Sequence, residues 1–214
     1  VVFDFYLPHY SGTVIRHDGV TPVGSLLGLP EIGDVNGDGK ADLAARGLFD
    51  FSVTVSLGRG DGTFRSGITK TLATQPTDVS LVDLDGDGDR EVVVLHLSAM
   101  PGVGSLAWQS VSLGGEAMVP GSNPGSFSAP ADLNGDGKPD LATCPYPATA
   151  LSILLGNGAG GLVAGDPVSA GDQIVDIAAG DVDGDGRVDL ITRGADAGTV
   201  RFLRNAPSVV VARR

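Results

Sequence analysis

The 214-residue chain carries 26 acidic against 14 basic residues, a formal charge of −12, and offers no basic patch of the kind that reads nucleic acid. No apolar run reaches the roughly 18 residues of a membrane-spanning helix, and no charged-then-apolar leader opens it, so the chain reads as cytosolic or as a mature processed form. Its single cysteine, Cys144, excludes an intramolecular disulfide; in the strand-like Leu141-Ala142-Thr143-Cys144 it reads as a buried structural thiol.

Residues 1–29 read as outer strands of an incomplete leading unit. Val2-Phe3-Asp4-Phe5-Tyr6 alternates as a strand does, and Arg16-His17-Asp18-Gly19-Val20 has turn character. Tyr6, His9 and Tyr10 cluster there, which favours strand-end packing over a ligand surface.

The first complete unit, 30–78, opens with a strand ending at Gly33 and then runs Asp34-Val35-Asn36-Gly37-Asp38-Gly39-Lys40-Ala41-Asp42. Oxygen donors alternate: Asp34, Asn36 and Asp38 at positions 1, 3 and 5, the Lys40 carbonyl at position 7, and Asp42 at position 9. Such a loop offers several hard oxygen ligands and suits calcium. Strands are expected over 42–46, over the alternating Phe51, Val53, Val55 and Leu57, and, past the glycine turn 58–62, around 64–72. Four strands per unit make a propeller blade. Arg59-Gly60-Asp61 spells an integrin-recognised tripeptide, but the aligned Asn157-Gly158-Ala159 makes a structural turn the better reading.

The loop returns every 49 residues, which marks a repeat architecture with units at 79–127, 128–176 and 177–214. The second loop offers Asp83, Asp85, Asp87, Asp89 and Glu91; the third Asp132, Asn134, Asp136, Lys138 and Asp140; the fourth Asp181, Asp183, Asp185, Arg187 and Asp189. Position 12 holds Ala45, Val94, Thr143 or Thr192, not the Glu of an EF-hand, and strand-like residues flank each loop. The loops are therefore β-loop-β calcium turns. The second unit departs from the plan after Leu97 and holds the only tryptophan; Trp108, and Tyr146 in the Pro145-Tyr146-Pro147 loop of the third, are the candidate ligand-contacting aromatics. A core role for Trp108 is the better reading. The tail 209–214 is a candidate last strand.

The four loops hold 15 of the 26 acidic residues, and about four bound calcium ions would bring the charge from −12 to −4. The acidity is metal-site acidity. Weak sites of this kind fill where calcium is millimolar, which points to an extracellular or surface location.

These loops resemble the calcium turns of FG-GAP or VCBS repeats, the blades of integrin-α-type β-propellers. The likeness extends to Leu57-Gly58-Arg59-Gly60-Asp61-Gly62-Thr63-Phe64 and Leu155-Gly156-Asn157-Gly158-Ala159-Gly160-Gly161-Leu162, which match the second hallmark of that family. The resemblance implies an all-β propeller of four-stranded blades, here four full or near-full repeats plus a partial one in a single domain or propeller segment. It implies structural calcium and no single activity.

No serine, cysteine or histidine constellation accompanies the loops, and carboxylates held on calcium are poor proton shuttles. Outside the loops Asp4, Glu31, Asp50, Asp78, Glu116, Asp166, Asp172, Asp176 and Asp196 remain eligible as a glycosidase pair. The expected function is a non-catalytic recognition module for an extracellular protein or glycan, adhesive or lectin-like. The alternative is a propeller within, or accessory to, a secreted polysaccharide-degrading enzyme. Because four calcium repeats are few for an integrin-like ring, a larger ring completed by a second chain or a further part is expected over self-closure.

Overall fold

The computed structural model describes residues 13–16, 19–22, 30–47, 51–72, 75–96, 103–106, 117–118, 127–144, 148–195 and 198–206. Every regular element among them is a β-strand. No helix among them is long and apolar enough to cross a membrane. Tyr6, His9, Tyr10, Trp108, Tyr146 and the tail 209–214 lie outside the described residues.

Strands β1 (Thr13–Arg16) and β2 (Gly19–Pro22) pair antiparallel, with Arg16 opposite Gly19. The first sheet follows in chain order as β3 (Pro30–Gly33), β4 (Asp42–Arg46), β5 (Ser52–Ser56) and β6 (Ile68–Thr71). The second holds β7 (Pro76–Val82), β8 (Glu91–His96), β9 (Val103–Leu106) and β10 (Ala117–Met118). The third holds β11 (Phe127–Ala131), β12 (Asp140–Cys144), β13 (Ala150–Gly156) and β14 (Leu162–Ala164). A short fifth strand, β15 (Val168–Ser169), also pairs with β13, one more than the four-strand plan. The fourth sheet has β16 (Ile174–Gly180), β17 (Asp189–Gly194) and β18 (Val200–Leu203).

The first two strands of every sheet close on the same register. Gly33 pairs with Asp42, Val82 with Glu91, Ala131 with Asp140 and Gly180 with Asp189, so each loop is clamped at its ends by a strand pair.

Successive sheets pack face to face, and the period of two in a strand divides its side chains between two cores. Strand β8 shows why it is an unbroken apolar run: Val92 and Val94 pack with Val53 and Val55 of the first sheet, while Val93 and Leu95 pack with Leu141 and Leu154 of the third. A third core joins Ala142, Cys144, Leu151 and Ile153 to Ile174, Ile177 and Leu190. Each fully buried aliphatic side chain contributes about 1.5–3 kcal/mol. Cys144 is buried there, its thiol 3.7 Å from the Ile174 carbonyl, and desolvation pushes that thiol up to about 11.

Two details of β5 depart from simple alternation. Phe51, just before it, is 51% exposed, while Ser52 and Ser56, on the polar side of the alternation, are buried. The strand after the hairpin begins at Ile68; Phe64 makes only an isolated bridge to Gly58. On the last sheet the register of cores runs out: Val200 and Phe202, at the positions of Val53 and Val55, are 55% and 63% exposed.

Candidate metal centre

Each loop is built by backbone amides turning onto the position-1 carboxylate. Asp34 accepts from the N–H groups of Asn36, Asp38 and Gly39; Asp132 from Gly135, Asp136 and Gly137; Asp181 from Gly184, Asp185 and Gly186. In the second loop Asp83 accepts from Gly86 at 2.7 Å and Gly88 at 3.2 Å. The turn needs positive φ at positions 4 and 6, and both are glycine in every loop, as at Gly37 (67°) and Gly39 (76°). Position 3 and position 5 side chains then accept from amides two residues on, as Asn36 does from Asp38 and Asp38 from Lys40.

Acidic oxygens converge inside the loops. One oxygen each of Asp83, Asp85 and Glu91 lie within 4.8 Å of one another, and so do those of Asp181, Asp183 and Asp189. The first and third loops place the neutral oxygens of Asn36 and Asn134 at position 3 in the same turn. Carboxylates this close repel unless a cation or protons lie among them. Hard anionic oxygens on a flexible glycine loop fit calcium. The cationic side chains at position 7 lie along the position-5 carboxylate: Lys40 pairs with Asp38 at 2.8 Å, Arg187 with Asp185, and Lys138 lies 4.0 Å from Asp136. At position 7 this leaves the carbonyl as the donor. Loop 2 has Asp89 at that position instead of a cation.

The position-9 acid has a second task. Asp42 is fully buried; its Oδ2 accepts from Val35 N–H at 3.0 Å and its Oδ1 from Gly58 N–H at 2.7 Å. Asp140 does the same with Leu133 and Gly156, and Asp189 with Val182 and Asn205; Glu91 accepts from Leu84 N–H at 2.7 Å. The acid thus ties the loop to the hairpin sixteen residues on. Residue patterns alone assign Asp42 to the metal; the constant spacing to Gly58 and Gly156 is the signal for this strap.

Electrostatics separate the four sites. Burial, with Asp34 and Asp38 adding to it and the two amides opposing it, raises the Asp42 carboxyl above the ordinary range. Burial also pushes Glu91 up to about 7, against the Leu84 amide and with Asp85, Asp87 and Asp83 adding. Asp89 is raised by desolvation and then by the surrounding acids, Asp34 of the first loop among them. Asp38 is held low by its hydrogen bond from Lys40, and Asp189 by the Asn205 amide.

The Arg59-Gly60-Asp61 turn is occupied with itself. Arg59 Nη1 donates to the Phe64 carbonyl at 2.9 Å, and Asp61 Oδ1 accepts from Thr63 N–H and Oγ1.

The chain aligns with the crystal structure of the V. cholerae biofilm matrix protein Bap1 at a TM-score of 0.54 and 19% identity, over 92% of this chain and 30% of that one. It therefore spans under a third of that protein's length. The Tc holotoxin pore of Photorhabdus luminescens aligns at a TM-score of 0.37 and 22% identity, over 88% of this chain and 10% of that one. No curated protein matches. The family model described as FG-GAP-like repeat matches residues 34–94 and 132–192, over half the chain. The matched stretches start on Asp34 and Asp132 and span all four acidic loops, and the chain belongs to the FG-GAP-like repeat family.

Proposed function

We propose that this chain is a calcium-stabilised, non-catalytic extracellular recognition module, adhesive or lectin-like, built on a propeller-type array of blades. The observation that carries the calcium reading is the pair of carboxylate triads within 4.8 Å, in the second and fourth of four loops that recur every 49 residues. Asp34, Asn36, Asp38, the Lys40 carbonyl and Asp42, with their equivalents, would hold one ion per loop, about four in all. Calcium would neutralise the clustered carboxylates and fix the turn between two strands.

Membership of a repeat family whose calcium turns sit on a rigid scaffold supports recognition over catalysis. The likeness to a biofilm matrix protein supports the blade architecture and agrees with an extracellular setting. The array continues beyond these four sheets into a larger ring, completed by a second chain or a further part of the same polypeptide; the exposed Val200 and Phe202, with no following sheet among the described residues, support this. Elemental analysis of the purified chain, with binding to glycan and extracellular-protein arrays with and without calcium, tests the reading. Four ions and calcium-dependent binding without turnover are expected. A metal-free chain with a chelator-independent melt would sink it.

A further inference from the structure

The seams between adjacent calcium loops are not equivalent. Between the first and second, loop 2 reaches across: Arg90 N–H donates to the Asp34 carbonyl at 2.9 Å. Asp89 Oδ1 also sits where a Cβ on Gly37 would lie 2.2 Å away, and the Arg90 side chain packs against Gly33. The matching residues of the third loop are Lys138 and Pro139. Proline has no N–H to give Asp83 the bond that Arg90 gives Asp34. The Lys138 stem lies instead against Gly158 of its own hairpin. The second seam consequently stays open as a cavity of about 470 Å³.

That cavity is lined by the apolar Leu81 and Pro130, the acids Asp83 and Asp132, and the cations Arg90 and Lys138. The acids are committed inward, both oxygens of each accepting loop amides. The cations are under-used. Among the described residues Arg90 has no carboxylate at ion-pair distance, and its one side-chain hydrogen bond, to the Leu81 carbonyl, is 3.5 Å long. Lys138 stands 4.0 Å from Asp136, where Lys40 reaches Asp38 at 2.8 Å. Two cations with spare donors in a groove that also has apolar lining suit a ring whose C–H face meets the apolar residues and whose anionic group lies between a forked guanidinium and an ammonium.

We infer that the groove between the second and third loops binds an anionic saccharide, its carboxylate or sulfate group held between Arg90 and Lys138. This rests on the recognition reading above, and calcium in the flanking loops strengthens the positive field at the groove.

The test is calorimetric titration of the calcium-saturated full chain with digalacturonate, a sulfated disaccharide and neutral maltose. One or both anionic sugars bind and maltose does not; the carboxylated and sulfated arms tell which group is read. Arg90→Gln and Lys138→Gln each weaken binding at least tenfold, Arg90→Lys restores part of it, and Arg193→Gln, an exposed cation on β17 away from the groove, leaves it unchanged. Thermal melts confirm that the variants are folded. Maltose binding as tight as the anionic sugars, anionic binding indifferent to Arg90 and Lys138, or no binding of any of the three overturns the inference. Calcium content measured on the same sample separates this failure from failure of the calcium reading, which predicts about four ions whatever the sugar result.

Discussion

Asp42 Oδ1 and the Gly58 amide, 2.7 Å apart, join an acidic loop to a hairpin tip sixteen residues away, and the pair recurs as Asp140 with Gly156. The position-9 acid therefore carries two roles that can be separated experimentally. In chelator, Asp42→Ala leaves the buried amides of Val35 and Gly58 without an acceptor, at a cost of about 2–4 kcal/mol. Asp38→Ala, at an exposed position, changes stability in chelator little and acts only when calcium is present. Urea denaturation of both variants with EDTA and with calcium checks this; equal behaviour of the two in EDTA would remove the strap.

The hairpin glycines follow from the same contact. A Cβ on Gly58 would stand 2.1 Å from the Ala41 carbonyl oxygen, and one on Gly156 2.0 Å from that of Pro139. These are backbone atoms that cannot swing aside. Gly58→Ala and Gly156→Ala each cost about 3 kcal/mol or more. Gly180→Ala, with nothing within 4 Å of the new methyl, stays within about 0.5 kcal/mol. Denaturant midpoints of the three variants decide the matter.

The sequence shows the loops plainly because ligand chemistry fixes both residue type and spacing: Asp34, Asn36, Asp38 and Asp42 and their counterparts are legible at a glance. Strand β4 is legible at its observed ends because a loop clamps one side of it. The strap from Asp42 to Gly58 is less so, since a backbone N–H leaves no residue-type signature and only the repeated spacing betrays it. Burial on both faces is also hidden in β5, where Ser52 and Ser56 are small enough to be covered while their polarity suggests water. The open seam at Arg90 and Lys138 depends on a proline lacking one hydrogen, which matters only once the neighbouring loop is known to lie beside it.

Removing calcium lowers stability by mass action. Binding to the folded chain alone stabilises it by about 2.7 kcal/mol per site at a hundredfold excess of ion over Kd. The melt in EDTA therefore falls well below that in millimolar calcium. Glu91→Gln weakens the second site and leaves roughly three ions by elemental analysis, since Glu91 closes one of the carboxylate triads.

A polar cluster away from the loops gives a pH dependence. Ser128 Oγ donates to Asp78 Oδ2 at 2.6 Å. Desolvation raises the Asp78 carboxyl, against that bond and nearby Arg46, and desolvation then Asp78 itself raise Glu31. A carboxyl raised on folding binds its proton more tightly in the native state. Its contribution is fully present below the unfolded value, 3.8 for Asp78, and is lost as pH rises through the raised one. Asp78→Asn keeps an acceptor without the charge, so its stability relative to the parent chain increases as pH climbs from about 4 to 7. A flat difference across that range in EDTA counts against burial as the cause.

The last sheet carries the prediction about assembly. Ala44, Val93 and Ala142 recur every 49 residues and each faces the next sheet in a shared core; the next in the series, Ile191, has no following sheet among the described residues. Beside it Val200 and Phe202 stand 55% and 63% exposed where Val53 and Val55 are fully buried. An apolar sheet face of this register is completed by a further sheet, and supplied alone it associates. Light scattering on the 21.6 kDa chain at rising concentration reads masses above the monomer, and Phe202→Lys with Val200→Thr shifts them back toward it while leaving the melt unchanged. A strict monomer at every concentration, with Phe202 protected from surface labelling, instead means that the chain closes its own small ring and that residues 1–29 cover this face.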